Sequence, residues 1–363
     1  MRAAVLRSVP GQLEIEDISI DLPQSGEVLV RVSASGLCHT DLHFMQGHLP
    51  VDVPAILGHE VAGIVEKVGD GVTYVKPGDH VIACLSVFCG QCQQCLTGHP
   101  SICAEPESTD RIQSQSPRLR SDNESVFQFM RVGGFAEQIL VHQNAIARIR
   151  KDMPLDKAAL IGCGVTTGLG AVFNTAKVSP GAVIAVLGCG AIGLNVIQGA
   201  QICGASRIIA IDTNSRKLET ASRFGATDFI NPADGDPVEQ VLQLTKGIGV
   251  DFSFEAIGSS VTARQAFMML AKGASAIIIG LMGSDDEVSL PGLHFLAERK
   301  IQGCDMGSNR FRIDMPRYVE FYMDGRLNLD DMISERITLD KINQGFTAMN
   351  QGDTVRSVII FDD

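Results

Sequence analysis

Tryptophan is absent from the 363 residues and tyrosine occurs three times. That argues against an aromatic carbohydrate or nucleic-acid platform. Cationic excess is lacking as well, since 30 Lys and Arg against 42 Asp and Glu give a formal net charge of -12. Displacing counterions from phosphates needs positive surface, so broad nucleic-acid binding is excluded, though not a local basic pocket for one phosphate. The opening MRAAVLRSVPGQLEIED has no apolar core ahead of its charges and proline. No secretory signal is therefore expected, and the expected location is the cytoplasm. The most apolar run, residues 181–202, is interrupted by Gly188, Gly190 and Gly193 and then by Asn195 and Gln198. It reads as strand, tight turn and helix, and no membrane association is expected.

What is present points to an α/β protein of more than one domain. The length exceeds what one hydrophobic core usually serves, and 45% hydrophobic with 20% charged residues is ordinary for a globular chain. The first part has β character: 28–32 alternates, 61–68 is β-branched, and 75–83 reads as turn then strand. From about Val165 strands expected at 182–187, 207–211, 227–230, 250–255 and 275–280 alternate with helices at 214–224, 237–246 and 261–272. Such alternation implies a doubly wound parallel sheet. After residue 305 a helix is expected at 310–325 and a closing strand at 357–361. The polar stretch 105–124 is the main loop candidate, either disordered or lying over a partner subunit.

Two motifs carry chemistry by their local spacing. Gly188-Cys-Gly190-Ala191-Ile192-Gly193 follows an apolar strand and opens a helix, the context in which this pattern binds a dinucleotide. Gly188 allows the turn, Gly190 lets the backbone approach a pyrophosphate, and Gly193 lets helix and strand pack closely. Asp212 ends the next strand about 20 residues on, where a carboxylate accepts from the ribose hydroxyls and repels a 2′-phosphate, so NAD is expected over NADP. Cys89, Cys92, Cys95 and Cys103 offer four thiolates within one loop, the closed shell of a structural zinc. With no export signal, metal binding is favoured over disulfides for the ten cysteines. Cys38 in GLCHTDLH, His59 in GHE and Cys163 in GCGVTTG are dispersed. Together they would supply two thiolates and an imidazole with a fourth position open, but spacing alone does not join them.

These motifs, with GHEVAGIVEKVG and in this order, resemble those of the zinc-dependent alcohol dehydrogenases of the medium-chain dehydrogenase/reductase superfamily, over essentially the whole chain. The resemblance implies a GroES-like, mostly β catalytic domain (1–164, returning at 306–363) and a Rossmann cofactor domain (165–305), with two zinc ions per chain. It assigns Cys38, His59 and Cys163 to a catalytic zinc, Glu60 to a position beside it, and Asp41 to orienting the imidazole. It assigns Thr40 and His43 to a proton relay that runs through the cofactor ribose. His39 and Arg356 are implied near the pyrophosphate, Lys217 near the adenosine ribose, Thr167 against the nicotinamide, and Ile257 among the cofactor contacts. For Lys217 and Arg356 the alternative is solvated surface charge. Many relatives carry Arg in place of His39, which implies weaker or pH-dependent pyrophosphate binding. Leu85 stands where a bulky aromatic is common, which implies room for a larger alcohol.

The implied activity is reversible oxidation of a small-molecule alcohol to an aldehyde or ketone by hydride transfer to NAD, in a homodimer. The nearest alternative is a thiol-adduct formaldehyde dehydrogenase acting on S-(hydroxymethyl)glutathione. A non-catalytic NAD- and zinc-binding protein is the alternative of another class, and the joint presence of Thr40 and His43 beside the ligand set speaks against it.

Overall fold

The computed structural model describes residues 1–112, 114–352 and 354–361. The chain divides into two compact units, Met1–Cys163 with Arg310–Asp363, and Gly164–Asn309. The divisions expected from sequence were at 164/165 and 305/306.

The first unit is built around the strand Glu27–Gly36. Its alternation sends Val28, Val30 and Val32 into a core shared with Val61, Val65, Val81 and Val141. That strand pairs antiparallel with Glu60–Val68, Gln138–His142 and Arg356–Ile360. The carboxyl-terminal strand thus lies beside the segment leading into Cys38, and Leu37 donates its N–H to the carbonyl of Ser357 at 3.0 Å. A second core joins Leu6, Leu37, Leu42, Ile56, Phe135, Phe346 and Ile359 beneath the helix His39–Met45.

The described part of the polar stretch 105–124 is tied to its own chain. Arg111 pairs with Asp21 and Glu27 at 2.6 Å each, and Arg118 reaches Glu27 at 2.8 Å. Burial works against ionising Glu27, yet the two guanidiniums hold its pKa below the ordinary carboxylate range. Gln113, within this stretch, lies outside the described residues.

The second unit is a parallel sheet in the order Asp228–Ile230, Arg207–Ile211, Val183–Leu187, Val250–Glu255, Leu270–Ile278, Lys300–Gly303. The strand order reverses beside Val183–Leu187, the position where open α/β sheets bind ligands beyond their carboxyl ends. Residues 181–202 form the strand Val183–Leu187, a turn and the helix Ala191–Ile202, as the sequence implies. Two expectations fail here. The helix expected to run to 272 stops at Met268, and a strand starts at Leu270, well before 275. The pairing shifts from Val250↔Leu270 to Phe252↔Ser275, an irregularity on that strand that contains Gly273 at φ +77°. The edge strand Lys300–Gly303 was not anticipated, because a short, exposed KIQG segment has little strand signature.

The helical segment Leu155–Ala176 is long and apolar enough to cross a membrane, but 83% of its most apolar window is buried in the protein, as in a core helix.

Candidate metal centres and cofactor turn

Cys38, His59, Glu60 and Cys163 converge within the first unit, with one ligand atom of each lying within 4.8 Å of the others. They arrive on three pieces of backbone, His59 and Glu60 being neighbours in the chain. Cys38 caps the helix His39–Met45, and Asp41 at its third position reaches back to the Cys38 N–H at 3.2 Å, closing a capping box. Asp41 Oδ1 also accepts from Gly58 N at 3.0 Å and holds His59 Nδ1 at 3.2 Å. One buried carboxylate therefore fixes two of the ligands and leaves the imidazole Nε2 to face the cluster. Glu60 starts its strand opposite Gly36, where a Cβ would sit 2.4 Å from Glu60 Oε2. Cys163 lies in a π-helical turn, Ile161–Val165, a widening of the helix that often marks a functional position.

The electrostatics of the cluster are those of a site made for a cation. The hydrogen bond with Cys163 and the charges of Arg356 and His59 hold the Cys38 thiol well below its usual range, against the effect of burial. Cys163, the other half of that bond and buried, is pushed well above it. Burial pulls His59 down, but Asp41 and Cys38 outweigh it and its pKa lies well above the ordinary value. Burial raises Glu60 to about 7 despite Arg356. His59 Nε2 and Glu60 Oε2 are both buried without a hydrogen-bond partner. Two thiols, an imidazole and a nearby carboxylate are zinc donors, and a divalent cation would satisfy the orphaned atoms together. The residues fit the metal.

The second cluster is local. Cys89 and Cys95 place their sulfurs 3.9 Å apart, and Cys92 and Cys103 3.8 Å apart. Four sulfurs about 2.3 Å from a central zinc would be separated by about 3.8 Å in a tetrahedron. Backbone N–H groups of Cys89 and Cys92 point at Cys103 and Cys89 sulfurs, both at 3.2 Å. Backbone N–H groups of Cys95 and Ala104 lower the Cys92 thiol to about 6, while burial raises Cys95 to about 12. All ten cysteines are unpaired by disulfide.

In the second unit Gly188 adopts φ +92°, and a Cβ on Gly193 would lie 1.8 Å from the Gly188 carbonyl oxygen. A Cβ on Gly190, by contrast, would meet open space, so the backbone there is accessible to a ligand. Ala191 and Ile192 begin the helix whose N-cap is Gly190, aligning its free N–H groups with that space. Asp212, the residue expected at the ribose, accepts from Cys189 N at 2.8 Å and Asn214 N at 2.9 Å and so braces the glycine turn. Burial pushes the Cys189 thiol up to about 12, Asp212 adds to this and the charge of Lys217 opposes it. Thr167 is buried and donates to Met306 Sδ at 3.3 Å.

Other expected residues fall less simply. His39 is exposed. Thr40 Oγ1 lies 3.7 Å from Cys38 Sγ. His43 sits half-buried with Nδ1 3.2 Å from His48 Nδ1, a neighbour that sequence reading did not single out. Arg356 is not a solvated surface charge. It is 3% exposed and donates to Glu60 Oε1 at 2.8 Å and to Cys38 Sγ at 3.6 Å, because its strand enters the middle of the sheet.

Glu255 was also missed. Fully buried, its Oε1 accepts from Ile257 N, Gly258 N and Thr262 Oγ1 at 2.8–2.9 Å. These bonds hold Ile257, 52% exposed, over Gly188. A lone glutamate at a strand end carries no spacing signal that would reveal this.

Comparison with known proteins agrees with both units. The alcohol dehydrogenase GroES-like domain family matches residues 24–151, and the zinc-binding dehydrogenase family matches residues 191–323. An alcohol dehydrogenase class-3 from Pisum sativum is 40% identical over 370 residues, covering 100% of this chain and 98% of the relative. An S-(hydroxymethyl)glutathione dehydrogenase from Paracoccus denitrificans is 40% identical over 373 residues, covering 99% of both. The crystal structure of benzyl alcohol dehydrogenase from Acinetobacter calcoaceticus superposes with a TM-score of 0.94 at 33% identity, covering 99% of both chains.

Proposed function

The chain belongs to the zinc-dependent alcohol dehydrogenases of the medium-chain dehydrogenase/reductase superfamily, and we propose that it oxidises an apolar primary alcohol reversibly, with NAD as hydride acceptor. The observation that carries this reading is the buried convergence of Cys38, His59 and Cys163 with orphaned donor atoms. A zinc ion held by Cys38, His59 and Cys163 would polarise the substrate oxygen and lower the pKa of an alcohol.

The protein's own residues do the rest. Asp41 keeps the His59 imidazole in one tautomer, with Nδ1 protonated and Nε2 free for the metal. Arg356 donates from one nitrogen to both Glu60 Oε1 and Cys38 Sγ and so ties the carboxylate to the ligand set. Thr40 and His43 carry the alcohol proton outward. Asp212 and the open backbone at Gly190 hold the adenosine ribose and pyrophosphate, and the carboxylate favours NAD over NADP.

Substrate polarity is argued from the first unit. A groove of about 330 Å³ is lined by Phe44, Pro50, Val51, Phe127, Phe129 and Met130, with Asp52 as the one charged residue among them. Phe129 is shared with the metal site, its ring 6.1 Å from that of His59 and edge-on to it. The nearby Arg111, Arg118 and Arg131 are each paired with carboxylates. This favours an apolar alcohol over a thiol adduct whose carboxylates need cations.

The thiol-adduct reading rests on relatives named S-(hydroxymethyl)glutathione dehydrogenase. A homodimer is proposed as well. Leu293 and Leu296, 77% and 82% exposed, lie beside the edge strand Lys300–Gly303 and offer apolar surface for a second copy.

NADH formation over aliphatic, benzylic and terpenoid alcohols, and over formaldehyde with and without glutathione, tests the assignment. Turnover of an apolar alcohol that disappears on zinc chelation is expected. Activity confined to formaldehyde plus glutathione would establish the second reading instead.

A further inference from the structure

The pairing of His43 with His48 is set by how the helix His39–Met45 ends. Gln46 is its C-cap, and Gly47 follows in the left-handed region at φ +79°. Gly47 N donates to the Phe44 carbonyl at 3.1 Å, and His48 N donates to the His43 carbonyl at 3.0 Å. This is the Schellman pattern of bonds, which folds the chain back over the last turn. The bond that closes the helix therefore brings the second imidazole over the first. Their ring centroids are 5.5 Å apart and their Nδ1 atoms 3.2 Å apart, within hydrogen-bond reach. His43 is half-buried and His48 exposed.

We infer that His48 is the outer station of the proton exit, taking the proton from His43 and releasing it to solvent. The inference rests on the reading of His43 as a relay residue. A proton reaching Nε2 of His43 makes an imidazolium, whose Nδ1 proton passes to the neutral Nδ1 of His48. His48 then sheds its Nε2 proton to water or buffer. One proton enters and one leaves, both rings return to neutrality in the opposite tautomers, and N–H exchange with water restores the starting tautomers before the next turnover. Two imidazoliums at this separation repel each other. Burial and the charge of His48 both pull the His43 pKa down, and Cys38 alone opposes them. Burial thus disfavours holding the charge on the half-buried ring, which lies beside an exposed one.

The test is His48→Gln in the zinc-loaded enzyme, assayed for alcohol oxidation across pH in dilute non-nucleophilic buffer and again with added imidazole. The expected result is a turnover roughly three- to tenfold lower, a displaced pH profile, and recovery with imidazole. Zinc content and NADH affinity should match the parent and so report intact folding. A wild-type rate and pH profile would overturn the inference, as would a loss that imidazole does not restore, since a packing role would produce that. His48→Phe, which keeps a ring without a titratable nitrogen, should behave like His48→Gln; wild-type behaviour in it would also refute the shuttle. If the parent enzyme turns over no alcohol with NAD, the relay reading itself falls, an outcome distinct from an active parent with an indifferent His48 variant.

Discussion

The two clusters of zinc donors differ in how the chain assembles them. Cys89, Cys92, Cys95 and Cys103 come from one loop, are oriented by backbone N–H groups, and all but Cys92 are only partly buried. Cys38, His59 and Cys163 come from three separate elements and are buried, and they are surrounded by Asp41, Glu60 and Arg356. A site that only braces a loop needs four equal ligands and little else. A site that does chemistry needs fewer protein ligands, fixed orientation and a controlled field. The difference in surroundings supports the proposed roles more than the ligand counts do.

The strongest way to break that contrast is to remove a ligand from the buried set. Cys163→Ala or His59→Ala should abolish NADH formation altogether; appreciable turnover in either would mean that the chemistry lies elsewhere. A smaller effect is expected from the residue that orients rather than binds. Asp41→Asn keeps the side chain's shape but loses its charge, and zinc affinity or turnover should fall about 10- to 100-fold, measurable by competition with a chromogenic chelator.

The four-cysteine loop should respond in stability instead. Cys92→Ser is expected to lower Tm by roughly 10 °C, while turnover per folded molecule at low temperature stays within about twofold of the parent. Scanning calorimetry beside an active-site titration would show whether the two quantities separate. The smallest effect belongs to a change that touches neither cluster. Glu255→Ala removes the acceptor that holds Ile257 over Gly188 and should weaken NADH binding by about 1–2 kcal/mol, leaving zinc content alone. Unchanged NADH affinity by fluorescence titration would remove Glu255 from the cofactor site.

Legibility in the sequence follows the same division. The glycine turn and the four-cysteine loop could be read directly, because their chemistry needs residues close together in the chain. The alternation of strands and helices after Val165 showed the parallel sheet for a related reason, and it failed where a short edge strand or a bulged one lacked hydrophobic pattern. Cys38, His59 and Cys163 could be joined only through family resemblance, because the sheet that brings them together leaves no spacing rule behind. Arg356, Glu255 and His48 were misjudged or missed. Each acts through tertiary or capping geometry: one strand's entry into the sheet, one carboxylate under a turn, one helix end folding back.

The most direct test of the contrast between the clusters is zinc content and alcohol turnover measured side by side in Cys38→Ala and Cys92→Ser. The account predicts about one zinc per chain in both, with NADH formation lost in Cys38→Ala and kept in Cys92→Ser. Turnover that survives in Cys38→Ala, or that vanishes from folded Cys92→Ser, would contradict it.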